Sequence, residues 1–215
     1  DAGCTVYELS RRAQGVEGLH HISADVTKEE SVRAAVEQIM AREGRIDILV
    51  NNAGFGISGA VEFTSTEDAK SLFDVNFFGM VNMNRQVVPI MREAGHGRIV
   101  NLSSVAAPVP IPFQTYYSAT KAAVNAYTMA LANELRPFGV TVCAVMPGDI
   151  HTGFTAARRT SIRAASAAPW PAWSTTRRPA WTPPEPAATW PGWPCGRGAT
   201  TRCTPSASTI SSSCF

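Results

Sequence analysis

The sequence offers little that would suit a membrane, a nucleic acid or a disulfide-bonded scaffold. It has no run of about 18 apolar residues, the length at which a membrane-spanning helix becomes possible. A formal net charge of +2 is too small to indicate a nucleic-acid partner. The 5 cysteines are irregularly spaced and form neither a CxxC pair nor a cysteine–histidine motif. We therefore predict free thiols, no metal site, and no membrane or nucleic-acid partner.

Residues 160–215 lack leucine, valine, lysine and aspartate altogether. They hold all 5 tryptophans and nine of the 15 prolines. Leucine and valine are among the commonest residues of folded domains, so this segment cannot supply an ordinary core. We predict a folded domain over residues 1–159 and a disordered, non-globular tail over residues 160–215. Its Pro, Arg, Ala, Gly and Trp content, which needs GC-rich codons, favours a frameshift as its origin; a natural disordered extension is the alternative.

The length and apolar content of the chain are typical of one globular domain. The 215 residues include 45% apolar residues, which is enough material for a core. The chain begins with Asp1 and has no apolar signal stretch, so nothing in it indicates secretion. Cysteines that stay reduced are typical of the cytoplasm, so we predict a cytoplasmic protein.

Strand and helix patterns alternate along the first 159 residues. Strands are predicted at 4–9, 20–24, 46–50, 98–102 and 140–145, and helices at 28–42, 68–94 and 115–136. The near-continuous apolar run at 46–50 indicates a strand buried on both faces, and Pro89 is expected to bend the long helix. The alternation predicts an α/β fold with a doubly wound parallel sheet, whose ligands bind at the carboxyl ends of the strands.

Tyr117 and Lys121 lie four residues apart in a predicted helix, so their side chains share one face. A phenol has a pKa of about 10 and is a poor acid or base near neutral pH. A neighbouring ammonium favours the phenolate and lowers that pKa, which makes the tyrosine usable for proton transfer. This spacing alone occurs by chance in many helices, but here Ser103 and Ser104 precede it in the chain.

The order and spacing of these residues resemble the short-chain dehydrogenase/reductase family. The resemblance runs from about residue 3 to about residue 158, and the matching residues are Asp25, Val26, Thr27, Asn51, Asn52, Ala53, Gly54, Asn76, Ser104, Tyr117, Lys121, Pro147, Gly148 and Thr152. It implies a Rossmann-type enzyme that moves a hydride between a nicotinamide cofactor and a small alcohol or carbonyl substrate. It also implies a homodimer or homotetramer for the intact protein.

The resemblance assigns catalytic roles to four residues. Tyr117 would exchange the proton of the substrate oxygen, and Lys121 would hold the nicotinamide ribose and lower the pKa of the tyrosine. Ser104 would hydrogen-bond the substrate oxygen; its spacing of thirteen residues from Tyr117 favours it over Ser103. Asn76 would bend its helix and hold a proton-relaying water, whereas the alternative is a solvent-facing amide.

Cofactor contacts follow from the same resemblance. The segment with Asn51, Ala53 and Gly54 would brace the central sheet and line the adenosine side, unless it forms an ordinary strand-to-loop turn. Asp25 with Val26 would contact the adenine, unless Asp25 only caps the helix that follows. Residues closing over the nicotinamide would be Pro147, Gly148, Ile150 and Thr152.

Cofactor choice depends on the end of the strand at 4–9. NAD enzymes usually place an acidic residue there for the ribose 2′-hydroxyl. This chain has Ser10 in that position and Arg11 and Arg12 next to it, which favours the 2′-phosphate and hence NADP(H) over NAD(H). The alternative is that the two arginines are solvated surface residues.

Two parts of the family pattern are missing. Residues 1–30 contain no glycine-rich phosphate-binding turn, and the strand that normally precedes it is absent, which predicts a gap between the strands at 4–9 and 46–50. The substrate lid is replaced by the tail. We therefore expect a protein of residues 1–215 alone to be inactive. The alternative function is that of a non-catalytic remnant or interaction module that has lost cofactor binding.

Overall fold

The structure is a computed structural model that describes residues 3–148 together with 159 and 160. Within these residues it has seven strands and four α-helices. The strands are β1 (Tyr7–Ser10), β2 (His20–Ser23), β3 (Ile48–Asn51), β4 (Ile57–Ser58), β5 (Gly97–Leu102), β6 (Val140–Val145) and β7 (Arg159–Thr160). The helices are α1 (Glu29–Glu43), α2 (Thr66–Phe73), α3 (Gly79–Ala94) and α4 (Thr115–Leu135). The predicted tail lies outside the described residues, Thr160 excepted.

The main sheet has the strand order β3–β5–β6, and all its strands are parallel. Its register pairs Leu49 with Ile99 and Ile99 with Val142, so these three side chains point to the same face. Smaller parallel pairs join β1 with β2 and β4 with β7. The predicted parallel α/β fold is confirmed, and the strand ends nearest Asn51, Leu102 and Val145 meet at one edge.

Only one face of the main sheet is covered by helices of the described residues. Leu49, Ile99 and Val142 are buried there in a core to which α1, α3 and α4 contribute. On the opposite face Ile48 and Val50 are 58% and 55% exposed. The prediction that residues 46–50 are buried on both faces was therefore wrong, since alternate side chains of β3 point to opposite faces and only one is packed.

Helix α1 packs against both the main sheet and the β1–β2 sheet. Its Val32 and Val36 belong to the main core, whereas Ala35 and Ile39 pack with Ile22 of β2. Strands β1 and β3 share no hydrogen-bonded ladder, which agrees with the gap predicted between them. The β1–β2 sheet is therefore attached to the main sheet through side-chain packing on α1 rather than through backbone pairing.

The long helix predicted at 68–94 is interrupted. It consists of α2, a wider π-helical turn at Asp74–Phe78, and α3. Ser65 caps the start of α2 by accepting from the backbone N of Asp68 at 3.0 Å. Pro89 lies inside α3, so the interruption is at Asn76 rather than at the proline. No helix in the described part of the chain has the length and hydropathy that crossing a bilayer requires.

Candidate active site

Lys121 is buried at the carboxyl edge of the main sheet. Its side chain extends from α4, and Nζ donates to the carbonyl O of Leu102, the last residue of β5, at 2.6 Å. Only 6% of the residue is exposed, and this burial lowers the pKa of Lys121 to about 8. The ammonium is therefore still the major form at neutral pH. An ammonium has three N–H donors, so two remain for a ligand after the bond to Leu102.

Tyr117 lies one helical turn before Lys121, and Lys121 Nζ is 5.8 Å from the centroid of its ring. The ring is 8% exposed and packs in a small apolar cluster with Ile57, Leu72 and Ala106. These neighbours come from β4, α2 and the loop after β5. Contacts from three elements fix the ring, so the phenol is positioned by packing as well as by its helix.

Asn76 joins the π-helical turn to the loop after β3. Its Oδ1 accepts from the backbone N of Phe55 at 3.0 Å, and its Nδ2 donates to the Phe55 carbonyl O at 3.0 Å. A Cβ at Gly54 would lie 3.2 Å from Asn76 Oδ1 and 3.8 Å from Lys121 Nζ. Gly54 therefore lies between Asn76 and Lys121, where a larger residue would crowd both. The side chain of Asn76 is buried, so the solvent-facing alternative was wrong.

Ser104 follows β5 and is buried. Its Oγ accepts from the backbone N of Ala106 at 3.1 Å, which leaves its O–H proton to donate elsewhere. The neighbouring Ser103 instead donates its hydroxyl to the carbonyl O of Lys121 at 3.1 Å. The two serines thus differ in their hydrogen bonds, because the hydroxyl of Ser103 already donates to the backbone of α4. Pro147 lies beside this loop, and its carbonyl O accepts from Val105 N at 3.1 Å.

We refer to Gly54, Asn76, Ser104, Tyr117 and Lys121 as the central site. The structure gathers all but Ser104 through direct contacts, and Ser104 is joined to them through Ala106, which packs with Tyr117. Gly148 is exposed, and no atom lies within 4 Å of the position a Cβ would take there. Ile150 and Thr152 lie outside the described residues.

Asn51 points into the protein rather than toward the edge. Its Nδ2 donates to Asn84 Oδ1 at 2.9 Å and to Asn101 Oδ1 at 2.8 Å. Asn101 in turn donates to Thr128 Oγ1 at 2.9 Å. These amides connect β3, β5, α3 and α4, so the side chain of Asn51 braces the sheet. The next residues, Asn52 and Ala53, are exposed at the strand end.

A second group, which we call the edge site, consists of Ser10, Arg11, Asp25 and Val26. The Asp25 carboxylate accepts from the Thr27 hydroxyl at 2.7 Å and from Thr27 N at 3.0 Å. These bonds, with the positive charge of Arg11, hold the pKa of Asp25 below its usual range against the effect of burial. These contacts lie before the helix, and α1 has Lys28 at its N-cap with no side-chain cap, so the capping alternative for Asp25 was wrong.

The rest of the edge site is also held by local contacts. Ser10 Oγ accepts from Arg12 Nε at 3.4 Å, and Arg12 forms an ion pair with Glu8. Arg11 is exposed. Val26 packs against Gly79 of α3, where a Cβ would come 2.7 Å from its Cγ2. The pairing of β1 with β2 brings Ser10 and Arg11 beside Asp25, but apart from Val26 the side-chain contacts of the edge site are made with neighbours in sequence.

Sequence reasoning missed three residues at the central site. Thr120 is fully buried and its hydroxyl contacts both Asn76 and the Tyr117 backbone. Phe55 provides the backbone groups that Asn76 binds, and the Arg159 guanidinium lies over its ring at 4.8 Å. A threonine next to Lys121 in a helix interior was a usable signal, because threonine is not a favoured helix former unless its hydroxyl has a partner.

Comparison with known proteins places this geometry in a wider context. A family model of short chain dehydrogenases matches residues 5–163. A 3-ketodihydrosphingosine reductase of Bacteroides thetaiotaomicron is 46% identical over 162 residues, which is 75% of this chain and 60% of that protein. The chain thus spans less than two thirds of that relative.

Solved structures give the same result. A short-chain dehydrogenase from Streptomyces avermitilis superposes with a TM-score of 0.70 at 37% identity, covering 74% of this chain and 62% of that one. A 3-ketoacyl-(acyl-carrier-protein) reductase from Brucella melitensis, solved with NADH, has a TM-score of 0.68 at 32% identity, covering 72% and 69%.

Proposed function

Because the chain belongs to the short-chain dehydrogenase/reductase family of oxidoreductases, we propose that it interconverts a carbonyl compound and its alcohol with NADP(H). The observation that carries this proposal is the buried contact set of Tyr117, Lys121, Asn76 and Gly54. A lysine that is kept charged beside a buried phenol is suited to proton transfer at neutral pH.

In reduction, Tyr117 donates its phenolic proton to the carbonyl oxygen as negative charge develops there. Ser104 donates its O–H to the same oxygen, while one of its lone pairs accepts from Ala106 N. Lys121 stabilises the resulting phenolate, which then takes its replacement proton from solvent. In oxidation the same groups act in reverse, and Tyr117 takes the proton from the alcohol.

The residues present fit a nicotinamide cofactor. When bound, the dinucleotide supplies or accepts the hydride at the carbonyl carbon. The backbone at Gly54, where a Cβ would crowd Asn76 and lie 3.8 Å from Lys121 Nζ, and the two remaining donors of Lys121 suit the ribose of the nicotinamide half. Pro147, Gly148, Ile150 and Thr152 are proposed to close over the nicotinamide. Ala53, Asp25, Val26 and the backbone of Asn51 are proposed to border the adenosine half, since the Asn51 side chain points into the protein.

Preference for NADP(H) is proposed from the edge site. Arg11 is exposed directly after β1, and no acidic side chain among the described residues forms an ion pair with it within 4.0 Å. Arg12 by contrast is paired with Glu8, and Glu8 also accepts from Val16 N at 2.8 Å, which holds the pKa of Glu8 below its usual range. Arg11 is therefore the guanidinium better able to bind a 2′-phosphate in a bidentate manner.

The substrate is proposed to be a small or lipid-like ketone. The Bacteroides relative is named for 3-ketodihydrosphingosine, which makes that compound one candidate. Self-association through α3 and α4 is proposed as well, since α4 carries the 68% exposed Met129. In the family these two helices commonly form such contacts.

The test is a cofactor-dependent absorbance assay on the chain expressed from its complete reading frame. NADPH oxidation would be followed at 340 nm with an aliphatic ketone, a 3-keto ester and 3-ketodihydrosphingosine. A substrate-dependent decrease that is faster with NADPH than with NADH is the expected result. NADPH that neither binds nor is oxidised with any carbonyl would contradict the proposal and favour a non-catalytic interaction module.

A further inference from the structure

We infer that Thr120 is a positioning residue, whose hydroxyl fastens Asn76 and the loop at residues 53–55 to α4 and so fixes Gly54 against Lys121. Its consequence for turnover rests on the proposed function, but the contact itself can be tested without turnover. No role for this residue follows from the Tyr117–Lys121 spacing.

The hydroxyl of Thr120 makes two hydrogen bonds in a fully buried position. It donates to the Tyr117 carbonyl O, three residues earlier in α4, at 2.8 Å. With its proton committed, it can only accept a second bond, and it does so from Asn76 Nδ2 at 3.2 Å. The direction of both bonds is therefore fixed, and the amide of Asn76 must present nitrogen to α4.

The other atoms of the amide face the loop after β3. Asn76 Nδ2 has a second N–H that goes to the Phe55 carbonyl O, and Oδ1 accepts from Phe55 N. Asn76 and Phe55 would thus remain paired even without Thr120. What Thr120 adds is the connection of this pair to the helix that carries Tyr117 and Lys121.

That connection matters because Gly54 precedes Phe55. A Cβ at Gly54 would lie 3.2 Å from Asn76 Oδ1 and 3.8 Å from Lys121 Nζ, so a small shift of the loop changes the space around the ammonium. Burial is the cause of the lowered Lys121 pKa. A loop that moves away from α4 would admit water and weaken that effect.

The same helix contains a matched control. Thr128 is also buried, donates its hydroxyl to a helix carbonyl, that of Val124, at 2.7 Å, and accepts from an asparagine, Asn101, at 2.9 Å. The chemistry of Thr128 thus repeats that of Thr120 two turns further along α4. Thr128 does not contact Asn76. A substitution at Thr128 therefore shows the loss of stability that comes from removing a buried threonine hydroxyl, separately from any effect on Lys121.

The experiment compares Thr120→Val, Thr120→Ser and Thr128→Val in the chain expressed from its complete reading frame. The first readout is NMR titration of lysines labelled at Cε, with Lys121 assigned from Lys121→Met. Thr120→Val should raise the pKa of Lys121 from about 8 toward its ordinary value of 10.5. Thr120→Ser should restore the wild-type value, and Thr128→Val should leave it unchanged.

The second readout is steady-state kinetics with the best ketone from the panel. Thr120→Val should lower kcat by about 10- to 100-fold, the scale of a displacement of roughly 1 Å at a catalytic group, with a much smaller change in KM. Thr120→Ser should recover most of kcat. If the wild type reduces no ketone, the proposed function fails, and the titration still decides the role of Thr120.

Three results of the titration would overturn the inference. One is a Lys121 pKa that Thr120→Val leaves unchanged. Another is an equal shift in Thr128→Val, and the third is a failure of Thr120→Ser to restore the wild-type value. If Thr120→Val does not fold, Thr120→Ala replaces it; failure of both to fold while Thr128→Val folds would make Thr120 a stability residue and equally reject the proposal.

Discussion

The central site and the edge site are held in different ways. At the central site, side chains from α2, α4, the π-helical turn and two loops are buried and contact one another across long stretches of sequence. At the edge site, Ser10 and Asp25 bind residues two positions away, and Arg11 is exposed. One site is fixed by tertiary structure and the other largely by its own segment.

This difference corresponds to the chemistry proposed for each site. Proton transfer depends on donor and acceptor positions to within a fraction of an ångström, so its groups need support from several elements. Recognition of a phosphate by an exposed guanidinium tolerates more movement. We therefore expect substitutions at the central site to have larger effects than those at the edge site.

The largest effect is expected for Tyr117→Phe. The ring would still pack against Ile57, Leu72 and Ala106, but the proton donor would be lost, so turnover should fall by at least about 100-fold. NADPH affinity should change only slightly. Tyr116→Phe is the control, since Tyr116 borders the same cluster. Retention of more than about a tenth of the wild-type rate would remove Tyr117 from its proposed role.

Asn76→Ala should destabilise the fold as well as the site. It leaves the partly buried backbone N and O of Phe55 without their partner, which should cost about 2–4 kcal/mol in the free energy of unfolding. Chemical denaturation measures this. Asn133→Ala is the control, because Asn133 is exposed and donates only to the Met129 carbonyl O. Equal losses in the two variants would contradict the distinction between buried and exposed amides.

Lys121 should make stability depend on alkaline pH. Burial lowers its folded pKa to about 8 from 10.5, so between these values the unfolded chain binds more protons than the folded one. Stability should therefore rise from about pH 8 to about pH 10.5, by up to about 3 kcal/mol relative to Lys121→Met. Unfolding free energies of both proteins over this range test it, with Lys70→Met, exposed on α2, as the control. A constant difference between wild type and Lys121→Met would show that the ammonium is not desolvated.

The smallest effect is expected at the edge site. Arg11→Ala should weaken NADPH binding by about 1.5–3 kcal/mol, the scale of hydrogen bonds to a charged group, and leave NADH binding nearly unchanged. Arg12→Ala is the matched control, since its guanidinium is already paired with Glu8. Binding titrations with both cofactors provide the measurement. Equal losses for NADPH and NADH would show that Arg11 does not read the 2′-phosphate.

Periodic patterns made the main strands and helices predictable, and the four-residue spacing of Tyr117 and Lys121 predicted their common face. The π-helical turn was not predictable in this way, because Asp74–Phe78 continues an apolar helical pattern and the cause of the wider turn is tertiary. Asn76 binds Phe55, 21 residues away, and Thr120, 44 residues away. Such contacts leave no trace in local spacing.

Short elements were missed for a different reason. Strands β4 and β7 have 2 residues each and pair across about 100 positions, so neither has a periodicity of its own. The open face of the main sheet was also misjudged, since an apolar run such as Ile48, Leu49 and Val50 does not reveal which face is covered. The spacing from Tyr117 favoured Ser104 over Ser103 as the catalytic candidate. It could not predict that the two serines form different hydrogen bonds.

The wider turn at Asp74–Phe78 also has a consequence for changes in chain length. One residue of helix corresponds to a rotation of about 100°, and a π-helical turn accommodates one residue more than an α-helical turn. Leu72 before it packs beside Tyr117, whereas Met83, Val87 and Met91 after it pack on the main sheet. A one-residue deletion in this turn would restore a regular helix and keep the apolar stripe of α3 on the sheet, whereas the same deletion within α3 would rotate the residues after it by about 100°. Single-residue deletions should therefore disturb the packing of α3 less in this turn than within α3, although they would remove the wider turn that positions Asn76.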